Sequence, residues 1–215
     1  MTGDKPFACG VAACRHSFHV RPGRRIVVRV TSWTGWKLTM WAGACAGSGE
    51  SCSLLLRRSA HASVTFVPPG ARSNPYPVGT PVRLDGAWRL TVNSATLDAD
   101  AQVAALNPPP SAGSQYAVVN VSLTYVGPGT SNVASYVDEW LGAEGAGNAL
   151  YQLACTPPPP DLSAVTEASA PGQTLTGNLC FEIASSEAST LLLVGTATTP
   201  EDTFKNVYFA LGPDS

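Results

Sequence analysis

Apolar and polar residues alternate with a period of two along most of the chain, which is the pattern of half-buried β-strands. The clearest stretch is residues 115–125, where every second side chain from Ala117 to Tyr125 is apolar. Turn signals such as Pro22-Gly23 and Pro171-Gly172 separate the alternating stretches. Because the chain lacks a convincing helical period, we predict an all-β protein. The predicted strands include residues 24–32, 37–41, 62–66, 88–93, 136–141 and 174–183.

The strands fall into two groups on either side of a proline-rich stretch. Residues 1–67 predict a small, disulfide-stapled β module. Residues 79–215 predict roughly seven or eight antiparallel strands, which would form an immunoglobulin-like β-sandwich. Residues 68–78 between them are predicted to be a semi-rigid linker because of their prolines. Within the second group, Asp85-Gly86 predicts a hairpin turn.

Six cysteines occur as three sequence-local pairs. An even count in strand-and-turn sequence is typical of disulfides in an oxidising compartment, although several connectivities are formally possible. Zinc is the alternative, but only the first pair has the spacing of a zinc doublet, so we expect no metal and no cofactor. The second pair brackets a Gly/Ser-rich tip after Trp41 and predicts a disulfide-tied β-hairpin. The predicted disulfides are Cys9–Cys14, Cys45–Cys52 and Cys155–Cys180.

The cysteines predict a protein that is extracellular or anchored in the cell envelope. The first residues, Met1-Thr-Gly-Asp-Lys-Pro, lack the basic and apolar regions of a signal peptide. We therefore expect a signal or anchor upstream of Met1.

Charge is divided unevenly along the chain, whose net charge is −2. Residues 1–72 hold ten of the thirteen bases and two acids, whereas residues 73–215 hold three bases and thirteen acids. The change of sign within the proline-rich stretch supports two domains. A basic first domain and an acidic second domain could also contact each other.

The first domain carries an ordered set of motifs. They are Cys-Gly-x₃-Cys, a Pro-Gly turn, Arg-Ile-Val-Val-Arg-Val, Trp-x-Gly-x-Cys-x-Gly-x₃-Ser-Cys and Val-Thr-Phe, within residues 8–67. This order resembles the divergent internalin B-type repeat, a small β module, and the resemblance implies a secreted or surface protein of a bacterium. Such repeats usually open with another strand, but only a few residues precede Cys9. They are also often neutral or acidic, whereas this segment is basic.

Residues 74–211 carry a second set of motifs. They are Asn-Pro-Tyr-Pro-Val-Gly, Trp-x-Leu-x-Val, Tyr-Ala-Val-Val-Asn-Val-Ser-Leu and Ala-Pro-Gly-Gln-Thr-Leu-Thr-Gly-Asn-Leu-Cys-Phe-Glu-Ile. Their order is similar to that of the immunoglobulin-like domain of actinobacterial secreted antigens and lipoproteins. The resemblance implies a secreted or envelope-anchored sandwich, and it supplies no site residues.

Candidates for catalysis are weak. No Gly-x-Ser-x-Gly nucleophile elbow occurs in the sequence. His16 and His19 would point to opposite faces of a strand, and so would the adjacent acids Asp138 and Glu139. We therefore predict that the protein is not an enzyme. The competing hypothesis is a hydrolase of envelope polymers, which would need a convergent nucleophile, base and orienting group.

Basic and aromatic residues of the first domain are the candidate binding residues. Arginine forks suit phosphate and carboxylate groups, so the partner could be an anionic cell-envelope polymer or membrane surface. Another surface protein is also possible, and no specific nucleic acid is expected. The alternatives are a solvated sheet face for the arginines and hairpin packing for the tryptophans. These residues are Arg24, Arg25, Arg29, Arg57, Arg58, Trp33 and Trp36. The predicted function is a non-catalytic binding or structural module.

Overall fold

The computed structural model describes residues 23–46, 49–198 and 204–212. The chain divides into two compact units, residues 1–66 and residues 67–215. The predicted Cys9–Cys14 disulfide lies outside the described residues, so it stays a prediction.

The described residues are mostly β-strands with a few short helices. The strands of the first unit are β1 Arg24–Arg29, β2 Lys37–Gly43, β3 Ser51–Leu56 and β4 Ala62–Val67. The next are β5 Val82–Arg83, β6 Trp88–Thr96, β7 Ser114–Tyr125, β8 Ser131–Asn132 and β9 Gly142–Glu144. The last are β10 Leu150–Tyr151, β11 Ala168–Ser169, β12 Thr174–Ala184, β13 Leu192–Thr198 and β14 Phe204–Ala210. The helices are α1 Asp100–Val103 and α2 Val133–Trp140, with 3-10 turns at Asp85–Ala87, Leu162–Ala164 and Ser185–Thr190.

The described residues of the first unit form two two-stranded sheets, β1–β3 and β2–β4. The predicted hairpin around the Cys45–Cys52 loop is therefore wrong, since the strands before and after this loop belong to different sheets. The disulfide itself is present, with 5.9 Å between the two Cα atoms. Both half-cystines are buried with Trp41, among apolar side chains drawn from both sheets. The interleaved pairing thus buries the disulfide in the small core, where a simple hairpin would leave it at an exposed tip.

The second unit is an antiparallel β-sandwich, which confirms the predicted fold class. One sheet has the strand order β12-β7-β6-β5 and the other has the order β10-β9-β13-β14. Alternate side chains of β7, from Ala117 to Tyr125, enter the shared core as predicted. They meet side chains of the second sheet such as Leu193 and Phe209. Trp88 lies in this core with its ring centroid 5.1 Å from that of Tyr125.

The strand predicted at residues 136–141 is wrong, because this segment forms helix α2. Val133, Tyr136 and Val137 are buried at the i, i+3, i+4 spacing of a helix face. Asn132 caps the helix, since its side-chain oxygen accepts a hydrogen bond of 3.0 Å from the Ser135 amide.

The linker predicted at residues 68–78 is also wrong, because this segment belongs to the second unit. Tyr76 forms a parallel bridge with Phe209, so the segment extends the sheet beyond β14. The Tyr76 amide donates to the Tyr208 carbonyl at 2.8 Å, and the Tyr76 carbonyl accepts from Ala210 at 2.9 Å. These backbone bonds give the proline-rich stretch a fixed path.

The side chain of Arg72 adds to this docking. Its guanidinium pairs with the buried carboxylate of Glu144 and also donates to the Gly145 carbonyl. It lies 5.6 Å from the centroid of the Tyr208 ring, and the Tyr208 hydroxyl donates to Glu144 at 3.2 Å. Arg72 therefore acts as a structural cation of the second unit, although it is the last base of the basic stretch in the sequence.

The predicted Cys155–Cys180 disulfide is present, with 5.2 Å between its Cα atoms. It packs beside a small apolar cluster that includes Val103, Tyr116 and Val118. This cluster lies apart from the main core and holds the α1 segment against the sheet. In the part of the chain that the structure describes, no helix is long and apolar enough to span a membrane.

Candidate functional site

Four of the predicted binding arginines come together at one end of the β1–β3 sheet. The antiparallel register places Arg24 opposite Leu56, the last residue of β3. Arg57 and Arg58 follow directly, so they continue past the same end of the sheet. Arg24 and Arg25 are neighbours on one strand, so their side chains leave opposite faces of the sheet. We call these four residues the arginine cluster, and all four are exposed.

Arg29 lies on the same sheet face as Arg25, but at the other end of β1. It is opposite Ser51 in the register. It lies four positions along the strand from Arg25, a distance of roughly 13 Å. Arg29 is exposed, and so is Val27 between them, at 57%. The structure therefore places Arg29 near the arginine cluster without making it a member.

No carboxylate neutralises the arginine cluster within the described residues. The ion pair present among the described residues joins Arg72 to Glu144, and both of these residues belong to the second unit. Adjacent guanidinium groups repel each other, and their planar forks are suited to phosphate and carboxylate oxygens. An exposed acid-free cluster of four arginines has the electrostatics of an anion-binding surface.

Trp33 and Trp36 form an aromatic pair at the turn between β1 and β2. Their ring centroids are 5.2 Å apart in an edge-to-face arrangement, and the Trp36 amide donates to the Trp33 carbonyl at 2.9 Å. The pair packs within its own turn and takes no part in the small core around Trp41. Trp33 is 46% exposed, so part of its ring remains accessible to a ligand.

The acids considered in the sequence do not converge on a catalytic arrangement. Asp138 and Glu139 are exposed on helix α2. A second pair of adjacent acids in the sequence, Glu201 and Asp202, lies outside the described residues. Among the residues that can be described, no group of three or more His, Cys, Asp or Glu side chains could hold a metal ion.

A cleft of about 320 Å³ lies between helix α1 and the proline run at 108–110. Its polar side chains make internal bonds. An Asp100 carboxylate oxygen accepts from the Tyr116 amide at 2.7 Å, and Asn107 bonds the backbone of Thr156 through both its amide atoms. Burial and the nearby carboxylates of Glu182 and Asp100 raise the pKa of Tyr116. The polar side chains that line the cleft therefore hold the α1 segment and the proline run in place.

Sequence reasoning missed two further arginines. Arg83 and Arg89 lie directly opposite each other on β5 and β6, and both are exposed. The signal was the predicted turn at Asp85-Gly86, because a hairpin centred there brings these two positions together.

The chain has no match among protein-family models and none among curated proteins. Three solved structures are similar to it. The yjhA protein from Bacillus subtilis has 11% sequence identity, covers 63% of this chain and 99% of its own, and gives a TM-score of 0.39. A conserved hypothetical protein from Bacillus anthracis has 12% sequence identity. The match covers 63% of this chain and 95% of that protein, with a TM-score of 0.39. An uncharacterized β-sandwich protein from Clostridium difficile 630 has 10% sequence identity. The match covers 63% of this chain and 95% of that protein, with a TM-score of 0.37. These similarities assign no function to the chain.

Proposed function

We propose that the protein is a non-catalytic, extracellular or envelope-anchored binding module of a bacterium, whose first unit engages an anionic envelope polymer. The observation that carries the proposal is the arginine cluster. It joins two arginines at the start of β1 to two that follow β3, with no acid paired to any of them among the described residues.

The location outside the cytoplasm is supported by the disulfides. Cys45–Cys52 and Cys155–Cys180 each cross-link one unit, and stable disulfides are rare in cytosolic proteins. The resemblance of the two halves to bacterial surface and secreted modules agrees with this location. The non-catalytic part of the proposal is supported by the dispersed positions of the described acids.

A polymeric ligand suits the cluster better than a small molecule. Small-molecule sites are concave and enclose most of the ligand. The arginine cluster is instead exposed at a sheet end, where its four cations are spread over both faces of the sheet. An extended polyphosphate chain can occupy these cations in sequence, each through a charge-assisted hydrogen bond.

The experiment compares two variants of the full chain with the same charge change. Arg24→Gln with Arg57→Gln removes half of the arginine cluster. Arg29→Gln with Lys37→Gln removes two exposed cations of the same unit outside it. Binding to lipoteichoic acid is measured by calorimetry at several salt concentrations, and circular dichroism checks folding.

We expect the cluster variant to bind at least tenfold more weakly and the control variant to change less than twofold. If four arginines engage four phosphates, counterion release predicts a slope of about −3 for log K against log salt concentration, at roughly −0.7 per phosphate. The slope of the cluster variant should be about half as steep. Equal losses in the two variants would mean that net charge alone drives binding, and the proposal would then be wrong.

A further inference from the structure

The outer face of the β12-β7-β6 strands carries rows of hydroxyl groups. Thr91 and Thr176 both lie opposite Ser122, and the Ser122 and Thr176 hydroxyls are 2.8 Å apart. In the next row, Thr124 and Thr174 are paired and their hydroxyls are 2.7 Å apart. These side chains point away from the sandwich core, since their strand neighbours are the ones that enter it.

A third row on this face consists of side-chain amides. Asn93 donates to the Asn120 oxygen at 2.8 Å, and Asn120 donates to the Asn178 oxygen at 2.8 Å. Asn178 in turn donates to the Pro158 carbonyl at 2.8 Å. Each amide is therefore held in one orientation, and each keeps further hydrogen-bonding capacity. Groups fixed in this way lose little entropy when they bind a ligand.

Arg83 and Arg89 complete the hydroxyl row that contains Thr124. Arg89 lies opposite Thr124 on one side and Arg83 on the other. Like charges placed directly opposite on neighbouring strands destabilise a sheet. Neither guanidinium has an ion-pair partner among the described residues. Two acids lie beside the outer face of β12, and both accept hydrogen bonds from other residues. Asp161 forms a bridge with Asn178 at the sheet edge, and its carboxylate accepts from the Ser163 amide and hydroxyl. Glu182 lies four residues beyond Asn178 and accepts from the Ser111 amide.

This combination indicates a ligand with isolated negative charges and many neutral polar groups. The second unit is rich in acidic residues, yet the three rows contain no acid. Two of the four basic residues of the unit, Arg83 and Arg89, lie at one end of the row that contains Thr124. The face extends roughly 13 Å along the strands and roughly 14 Å across the four strands, which is room for a short oligosaccharide. The rows contain no aromatic side chain, so binding would come from hydrogen bonds and ion pairs.

We propose that this face binds a polysaccharide whose sugar carboxylates are separated by neutral sugars. The Arg83 and Arg89 forks bind one carboxylate, and the hydroxyl and amide rows bind the hydroxyl groups of adjoining sugars. This site is separate from the arginine cluster of the first unit and goes beyond the proposed function.

The test uses the full chain with the arginine cluster neutralised by glutamine at all four positions, so that binding by the first unit does not contribute. The probe is a hyaluronan oligosaccharide, which has one carboxylate in every disaccharide, and its methyl ester is the neutral control. In this background, Arg83→Gln with Arg89→Gln should weaken binding at least tenfold. Arg29→Gln with Lys205→Gln, which removes the same charge at exposed positions, should change it less than twofold.

A second variant tests the neutral rows. Ser122→Ala with Thr176→Val keeps the size of the side chains and should weaken binding about threefold or more, while the midpoint of thermal unfolding is retained. The methyl ester should bind at least tenfold more weakly than the free acid.

Three outcomes would overturn the proposal. They are unchanged binding after loss of Arg83 and Arg89, unchanged binding after loss of the two hydroxyls, or tighter binding of polyphosphate than of hyaluronan. The third would identify a general anion patch. None of them bears on the arginine cluster, because that cluster is absent from the background used.

Discussion

Removal of the Cys155–Cys180 disulfide gives the most direct test of how the second unit is stabilised. The bond joins residues 25 apart in sequence and ties the start of the proline loop to β12. On the chain-entropy model, closing a loop of this length stabilises the fold by about 3.5 kcal/mol. The Cys45–Cys52 bond spans only seven residues, and the same estimate gives about 2.5 kcal/mol.

Alanine is the suitable replacement at both positions. Cys180 is only 1% exposed and packs with Tyr116 and Val118, so a serine there would bury a hydroxyl group in an apolar cluster. For a unit of about 150 residues, each kcal/mol lowers the midpoint of thermal unfolding by roughly 2–4 °C. The loss of loop closure should therefore lower this midpoint by about 7–14 °C.

Scanning calorimetry of the full chain measures the effect, and hydrogen exchange of β12 locates it. Cys45→Ala with Cys52→Ala is the control, because its bond lies in the first unit and closes a shorter loop. A decrease of less than about 3 °C for the Cys155 and Cys180 variant would refute the loop-closure reasoning. Faster exchange in β1–β4 instead of β12 would refute the assignment of the bond to the second unit.

Three further substitutions test single contacts. The pKa of Tyr136 is raised mainly by burial, so the unfolded state loses its tyrosine proton first and stability should fall above pH 10 by up to about 1.4 kcal/mol per pH unit. Among the described residues its hydroxyl has no hydrogen-bond partner, so Tyr136→Phe should remove the share of this slope that Tyr136 contributes without loss of stability at pH 7, as measured by urea unfolding at pH 7, 9 and 11. Gly70→Ala should cost about 1–2 kcal/mol, because Gly70 has φ of +80° and a Cβ there would lie 2.5 Å from the Tyr76 ring; faster exchange of the Tyr76 amide would show it. Asn132→Ala should cost about 1 kcal/mol or more in thermal unfolding, because it removes the α2 cap and the amide hydrogen bond to the Thr166 carbonyl. Asn132→Asp keeps the cap and loses only the amide donor, so the difference between the two variants isolates the cap.

The sequence predicts the strands of the sandwich best where one face is buried. Along β7 the residues assigned to the inner face all lie in the core, and the alternation is interrupted only at Tyr116 and Val118, which pack under α1 on the outer face. Helix α2 was missed because it is short and contains valine, tyrosine and tryptophan, which are common in strands. The available signal was Asn132 before apolar residues at the i, i+3, i+4 spacing.

Strand pairing in the first unit could not be predicted from the spacing of its cysteines. A disulfide across seven residues is compatible with a hairpin and equally with a loop that passes between two sheets. The burial of Trp41 beside the disulfide favours the second arrangement, since it gives a very small unit a shared core.

The proline content of residues 68–78 led to the wrong prediction that this segment is a linker. Proline content predicts stiffness, and it does not predict whether a stiff segment docks on a neighbouring sheet. The residues that fix the segment are Arg72 and Tyr76, through Glu144 and the backbone of β14. Neither partner is adjacent in sequence, so only the folded chain identifies them.

The two proposed arginine sites differ in the electrostatic field that surrounds them, and we expect this difference to determine which ligands each one binds. The arginine cluster belongs to a unit with nine bases and two acids, so the long-range field and the local cations both attract a densely charged polymer. Arg83 and Arg89 belong to a unit with four bases and thirteen acids, whose field repels such a polymer at long range. A glycan with widely spaced carboxylates is repelled less by this field, and one of its carboxylates can still bind Arg83 and Arg89. Added salt weakens the attraction at the first site, and at the second site it also screens the repulsion, so binding there should depend less on salt.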